Sequence, residues 1–440
     1  MSGAETVEQV EAELAAPSDP ELAEAEYQRF IEKNLPRNFA AHFVHGMLGM
    51  TGFRIFNAPT FLPAFLHLIT GSDALVGLGQ SLQQLGGVVS PIIGAAQLEH
   101  RKRVLPVSMV MGTLMRIPIA GIALCAWFLR GGALVGSVMV FLLLLGLFQG
   151  AQGVAFQMLL AKVIPIRLRG RLQALRNVAG GQVSAGMAYL AGRYLIQNRV
   201  LGNGYATTFM LAFVLTSVGL SVLALLMREP EPPVVRPRAR TLDRMREFPA
   251  LLAADRGYMF FMIAQTCATA GRIGAPFYIL FARHVMPLSG ENLGLVSLVL
   301  FEADSLSNML WGMMGDRFGF RSSFILALAV WIAATVVLLA APGPTLILVA
   351  FAGLGAAQAG FQMSSQTMVL EFGARADMPM RLGLSQTAQG FMNTIGPLAG
   401  GLVAVAFGYR PLFLTSMAFE ALALVLLVTV VDEPRYRTRV

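Results

Sequence analysis

The sequence predicts an all-α membrane protein, twelve transmembrane helices arranged as two pseudo-symmetric six-helix bundles, and three observations carry that prediction. The first is composition: the 440 residues are 55% hydrophobic and only 13% charged, with a mean hydropathy of +0.63. Soluble domains carry about 25% charged residues, so a cytoplasmic enzyme, a disordered chain and a disulfide-stapled domain are all excluded. The second is a series of apolar runs near the ~20 residues that cross hydrocarbon as a helix. Runs such as 138–147 are apolar on every face, which a barrel strand is not. The third is a basic, Pro-rich interruption over 228–256, which cannot span a membrane and leaves six runs on either side.

Taken in order, residues 1–36 form an acidic tail, with Glu5, Glu8, Glu11, Glu13, Asp19, Glu21, Glu24, Glu26 and Glu32 against Arg29 and Lys33. It reads as a solvated, partly helical extension without chemistry, and not as a cleavable signal. The N-terminal bundle, 37–228, holds spans at 38–69, 74–98, 104–129, 133–163, 172–196 and 206–227. The basic linker occupies 229–256. The C-terminal bundle, 257–432, holds spans at 257–285, 292–314, 322–341, 344–371, 381–407 and 411–431, before a tail at 433–440.

Basic residues stay on the cytoplasmic side. They crowd the even-numbered connections (Arg101, Lys102, Arg103; Lys162, Arg167, Arg169, Arg171, Arg176; 228–256; Arg317, Arg321; Arg375, Arg381), whereas the odd-numbered ones hold Arg130, Arg193, Arg199, Arg283 and Arg410. Both termini are therefore expected in the cytoplasm, and the expected location is a bacterial inner membrane. The net charge of +8 is a topology signal with a membrane-surface component, not a nucleic-acid footprint. Cys125 and Cys267 fall inside spans and read as packing residues.

The six-plus-six division is matched by internal repetition. GAQGVAFQM (150–158) in the fourth span recurs as GAAQAGFQM (355–363) in the tenth, and FRIFNAP (53–59) in the first is echoed by GRIGAP (271–276) in the seventh. The loop after span eight reads Gly312, Asp316, Arg317, Gly319, Arg321, and its counterpart after span two is degraded, with Leu98 at the acidic position and Glu99 one place late. After span four come Pro165, Arg169, Gly170 and Arg171.

With GxxxDRxGxR and PxxxRGR loops at these positions, residues 38–432 resemble the major facilitator superfamily. The resemblance implies two rocking bundles and a gate between them, with Gly312, Asp316, Arg317, Arg321, Arg169 and Arg171 as gating residues. Physically, a carboxylate at a helix end can pair with a neighbouring Arg or face a helix N-terminus, and such contacts can latch one conformation.

Polar groups at membrane depth are costly and mark cavities or partners. The charged candidates are Arg54, Arg116, Arg272, Glu302 and Asp304. Arg54 and Arg272 lie near the middle of spans one and seven, each followed by Ala-Pro. Pro59 frees the carbonyl of Ile55 and Pro276 that of Arg272, and interrupted helices at matching positions of two halves point to a binding site. Met50, Thr51, Arg54 and Asn57 share one face, as do Gln265, Thr269, Arg272 and Pro276.

Two guanidinium forks across a cavity suit an anionic group. A similar pair characterises the organic phosphate antiporters of the superfamily, but their span-five histidine is missing between 172 and 197. The open alternative is that each arginine pairs with an internal carboxylate. Asp304, in line with Ser297, Ser307, Asn308 and Trp311, and Glu302, in line with Ser305, are the candidates both for such pairing and for carrying a coupling proton.

Arg116 reads as a structural pairing residue, and His42 and His45 as packing or interhelical hydrogen bonds. Substrate-orienting amides are expected among Asn57, Gln84, Gln152, Gln157, Gln358, Gln362, Gln389 and Asn393, with Gln80, Gln149 and Gln386 at the same helical spacing; gluing helices is their commoner use. The GPxxGG text that the drug exporters of the superfamily place in span five occurs here in span eleven, at Gly396, Pro397, Gly400 and Gly401, and reads as close helix packing.

The function expected is secondary active transport of a small organic, anionic or amphiphilic solute by alternating access, coupled to protons. Two alternatives stay open: a multidrug or lipid exporter, and a non-transporting assembly protein of the same fold. The expected partners are the solute, membrane lipid and the proton, and not nucleic acid. Enzyme, cofactor and metal motifs are not found in the sequence, so none of these is expected.

Overall fold

A computed structural model describes residues 20–98, 103–231, 252, 255–372 and 378–433. The acidic tail before residue 20, Arg101, Lys102, Arg375, most of the linker and the residues after 433 lie outside these. The first bundle contains α1 (Pro20–Phe56), α2 (Phe61–Thr70), α3 (Asp73–Leu98), α4 (Leu105–Phe128), α5 (Gly131–Val163), α6 (Ile166–Leu190), which runs on into a π turn at Ala191–Ile196, and α7 (Gly204–Leu226). The second contains α8 (Arg256–Ala270), a 3₁₀ stretch at Gly271–Phe277, α9 (Tyr278–Ala282), α10 (Gly290–Phe318), α11 (Phe320–Ala340), α12 (Pro344–Glu371), α13 (Met378–Phe407) and α14 (Tyr409–Thr429). With α1 joined to α2 and α8 to α9, the described segments are consistent with twelve spans, and the fold class is all-α.

Eight of these helices are long and apolar enough to cross a membrane on their own: α4, α5, α7, α10, α11, α12, residues 381–407 of α13, and α14. The remaining four segments, α1–α2, α3, α6 and α8–α9, are broken or rich in Gly and polar residues. Among them, α3 and α6 meet the other half, and α1 and the broken span seven line the interior.

Both proline interruptions occur where the missing N–H predicts them. α1 ends at Phe56 and α2 restarts at Phe61, with Ala58 and Pro59 between; α8 tightens into 3₁₀ geometry around Pro276 before α9.

Helix pairing repeats between the halves. α3 packs on α5 as α10 does on α12; α1 packs on α7 as α8 does on α14; α1 meets α6 as α8 meets α13. Between the halves, α3 lies against α13 and α6 against α10. These junctions are tight because glycine lets backbones approach. A Cβ at Gly401 would sit 2.6 Å from the carbonyl oxygen of Asp73, one at Gly77 would meet the Pro397 carbonyl, and one at Gly192 would sit 2.5 Å from the Cα of Gly294. Around them Arg193 pairs with Glu291 at 2.5 Å, Arg283 bonds His67 at 2.6 Å, and the Leu398 N–H, beside Pro397, donates to Ser81 at 3.0 Å. These contacts belong to the end of the bundle away from the termini. Toward the termini, Leu306, Met309, Leu310 and Met313 of α10, Leu175 and Val178 of α6, and Phe391 of α13 are exposed. The glycine contacts between the halves thus lie at the end away from the termini.

Each half is fastened by a Glu-Pro dipeptide after its last helix. Glu229 accepts the Val104 and Leu105 N–H groups at 2.7 and 2.8 Å, capping α4, and pairs with Lys162 at 2.9 Å. In the second half Glu433 accepts the Arg321 N–H at 3.3 Å beside Gly319, which takes φ +88°, while the Arg321 guanidinium caps the Leu427 and Val428 carbonyls at 2.8 and 2.9 Å. Glu229→Ala is expected to lower stability by about 2 kcal/mol, since a buried side chain satisfying two N–H groups and an ammonium is lost. Thermal unfolding of the purified variant checks this; an unchanged midpoint overturns it.

Candidate functional site

The two helix breaks open a cavity of about 430 Å³ near the middle of the bundle. Its walls come from α1 (Met50, Phe53, Arg54), the break after it (Asn57, Pro59), the broken span seven (Arg272, Ala275, Tyr278), α10 (Leu300, Phe301, Asp304), α11 (Trp331) and α12 (Phe351, Leu354, Gln358). Five residues expected to bind solute or proton thus share one space: Arg54, Asn57, Arg272, Gln358 and Asp304. The lining is otherwise apolar and aromatic, the usual make-up of a small-molecule pocket in which a few polar groups fix orientation.

Arg54 reaches across the halves. Its Nη2 donates to Oδ2 of Asp304 at 2.8 Å, its Cζ lies 5.6 Å from the centre of the Phe301 ring, and its Nη1 is buried without a partner. Arg272 is held within the second half. Its Nη2 donates to Oε1 of Gln358 at 3.0 Å, its Cζ lies 4.9 Å from the centre of the Phe361 ring and 5.6 Å from that of Trp331, and its Nε is without a partner. Aromatic faces attract a guanidinium without consuming its donors, so each arginine keeps N–H capacity for a third party.

Asn57 donates to the Phe53 carbonyl at 3.1 Å and accepts from Gln83 at 2.7 Å. Glu302 lies outside the cavity and accepts from Gln182 of α6 at 2.8 Å. The two mid-helix carboxylates of α10, Glu302 and Asp304, therefore both face the first half, one toward α6 and the other toward α1.

The other amides are dispersed. Gln84, Gln157 and Gln362 are exposed; Gln389 is half-buried and donates to Ser385 at 3.1 Å; Asn393 is half-buried; Gln152 is buried and donates to Ser108 at 3.3 Å, lining a different cavity. Gln265 is spent between the Ser365 carbonyl and the Ser385 hydroxyl. Of the expected gating residues, Asp316 and Arg317 are exposed on the termini side, Arg317 over Phe318, and Gly312 faces open space. Arg169 caps the Ile164 and Ala161 carbonyls at 2.9 and 2.6 Å, Arg321 caps α14, and Arg171 is exposed. The guanidinium contacts of Arg169 and Arg321 fall within their own halves.

The sequence reading missed Glu420. This carboxyl, 1% exposed in α14, packs against Gly271 within electrostatic reach of Arg272, and neither oxygen has a hydrogen-bond partner. A lone Glu in the run FLTSMAFEALALVLLV was the signal available. Arg176, counted with a basic connection, is in fact inside α6, its Cζ 4.9 Å from the centre of the Phe156 ring. Arg116 donates to the Thr216 and Gly112 carbonyls, tying α4 to α7 without a carboxylate.

Residues 261–439 match the Major Facilitator Superfamily model. The structure is similar to that of a point mutant of the nucleoside transporter NupG (TM-score 0.73, 13% identity, 90% of this chain and 100% of that one). It also resembles a D-xylose-proton symporter (0.70, 14%, 91% and 99%). A third likeness is to a bacterial homolog of the human lysosomal transporter Spinster in an inward-facing, unoccupied conformation (0.61, 13%, 94% and 97%). No curated protein matches the sequence. Residues 261–439 thus carry the family's sequence pattern, and the chain has the fold of these solved transporters over nine-tenths of its length.

Proposed function

We propose that the chain is a secondary active transporter carrying a small organic solute with an anionic group and an apolar body, together with a proton held by Asp304. The observation that carries this reading is the cavity wall itself, where Arg54 and Arg272 each keep a buried donor without a partner while aromatic rings supply most of the remaining surface. An incoming anion competes with Asp304 for Arg54. The displaced carboxylate, left in a low-dielectric site, takes a proton. Departure of the anion returns Arg54 to Asp304 and expels the proton. Asn57 and Gln358 lie where they can orient the solute. The distribution of basic residues favours termini in the cytoplasm, and the solute's cytoplasmic entrance then lies at the end opposite the glycine seal.

The test is thermal stabilisation of the purified protein by a panel of organic phosphates, carboxylates, sulfonates and neutral lipophiles. The expected result is one anion class that stabilises the parent, with half-saturation raised at least about tenfold by Arg54→Ala and by Arg272→Ala. Neutral lipophiles stabilising all three proteins alike would sink the anion reading and favour a lipophile exporter. In proteoliposomes Asp304→Asn is expected to bind the anion but move no protons; proton movement equal to the parent's removes Asp304 from the coupling role.

A further inference from the structure

A second cavity, about 280 Å³, lies entirely in the first half, between α1, α4, α5 and α6. It is lined by Arg116 and Arg176, by His45, and by the amides Gln149, Gln152, Gln173 and Asn177, and no carboxylate is among its lining residues. Met50 and Phe53 belong to its wall and to that of the central cavity. His45, Gln173 and Asn177 place it on the termini side of those two residues, so it adjoins the central cavity toward the termini.

The charge balance here is unlike that of the central site. Arg54 has Asp304 and Arg272 has Glu420, whereas no carboxylate among the described residues acts on Arg116 or Arg176. Arg116, 2% exposed, is anchored by two backbone carbonyls. Arg176 has one contact to Gln173 at 3.3 Å and the face of Phe156, and its Nε is buried without a partner. His42 and His45 pack on Phe156 at 5.1 and 5.3 Å beside the pair, and neither ring nitrogen of His42 has a partner. Two guanidinium groups at membrane depth without a counter-charge are costly, while a planar fork with free N–H groups matches phosphate or carboxylate oxygens.

We infer that this cavity is a second anion site, in which Arg176 and Arg116 bind a phosphate or carboxylate group, the amides accept or donate to the rest of the ligand, and Met50 and Phe53 divide it from the central cavity. The site stands on its own residues and does not require the Arg54 and Arg272 reading. The anionic group comes either from a soluble solute entering from the termini side or from a lipid headgroup.

The experiment uses the full chain and compares the parent, Arg176→Gln, Arg176→Lys and the double variant Arg54→Gln/Arg272→Gln, by thermal unfolding in two arms. One arm titrates inorganic phosphate in neutral detergent; the other compares nanodiscs of phosphatidylglycerol with nanodiscs of phosphatidylcholine. Phosphate stabilising the parent and the double variant with equal half-saturation, Arg176→Gln at least about tenfold weaker and Arg176→Lys between them, establishes the site with a soluble ligand. Stabilisation by phosphatidylglycerol alone, lost in Arg176→Gln and kept in the double variant, establishes it with a lipid headgroup.

Without any anion, Arg176→Gln is expected to unfold no earlier than the parent, because it removes an uncompensated charge. Earlier unfolding of Arg176→Gln in anion-free detergent, or anion responses equal to the parent's, overturns the inference. Loss of the response in the double variant alone also overturns it, while supporting the central site.

Discussion

Asp304→Ala is expected to destabilise the purified protein by about 3 kcal/mol, the cost of leaving one member of a largely buried ion pair alone. Arg54 and Asp304 are 2.8 Å apart with side chains 21% and 12% exposed, and the Phe301 ring packs on the Arg54 guanidinium. Arg54→Leu should cost a comparable amount. The double variant Arg54→Leu/Asp304→Leu should recover most of the loss, because two desolvated charges are replaced by groups that suit the surroundings. A double-mutant cycle on thermal midpoints measures this. If the two single effects simply add, the pair does not couple the halves and the contact is incidental.

Gly192→Leu is expected to break the seal at the end away from the termini. The atoms a Cβ would meet there are backbone atoms of Gly290 and Gly294, which cannot rotate aside, so the helices must separate. The measurement is modification of an introduced cysteine, Ser297→Cys, whose parent side chain is 1% exposed and bonded to Thr60 behind the seal. A membrane-impermeant maleimide added from the seal side should react at least about tenfold faster in the Gly192→Leu background than in the parent, the change expected if about 1.4 kcal/mol of contact is lost. Equal rates would mean the glycine contacts do not hold that side closed.

The fold was legible because hydrocarbon imposes a simple rule on composition and length, and because proline leaves a local mark: the breaks at Pro59 and Pro276 followed from ring chemistry alone. Part of the site was legible for a related reason. A charge such as Arg54, Arg272 or Asp304 in an apolar run is too costly to be placed without a purpose. The amides were harder. Uncharged glutamines tolerate lipid-exposed, interhelical and cavity positions alike, so helical spacing could not separate Gln358, which meets Arg272, from Gln157 or Gln362, which are exposed, nor point to Gln83 as the partner of Asn57. Arg176 was hidden by neighbouring basic residues, which made a half-buried helical residue look like part of a loop. Its surroundings became visible only once Phe156 and His45 were brought beside it from other helices.

The position of the Arg54–Asp304 contact has a mechanical consequence. It lies about midway along span one, at the break between α1 and α2, and midway along α10, with the glycine seal on one side and the termini on the other. If each half moves as one body, held closed by its own Glu229 or Glu433 fastening, this contact is the fulcrum of a balance with arms of similar length. Whatever gap opens at one end is taken from the other. A balance of that kind has no stable position in which both ends stand open, and leakage is prevented by leverage instead of by a separate lock.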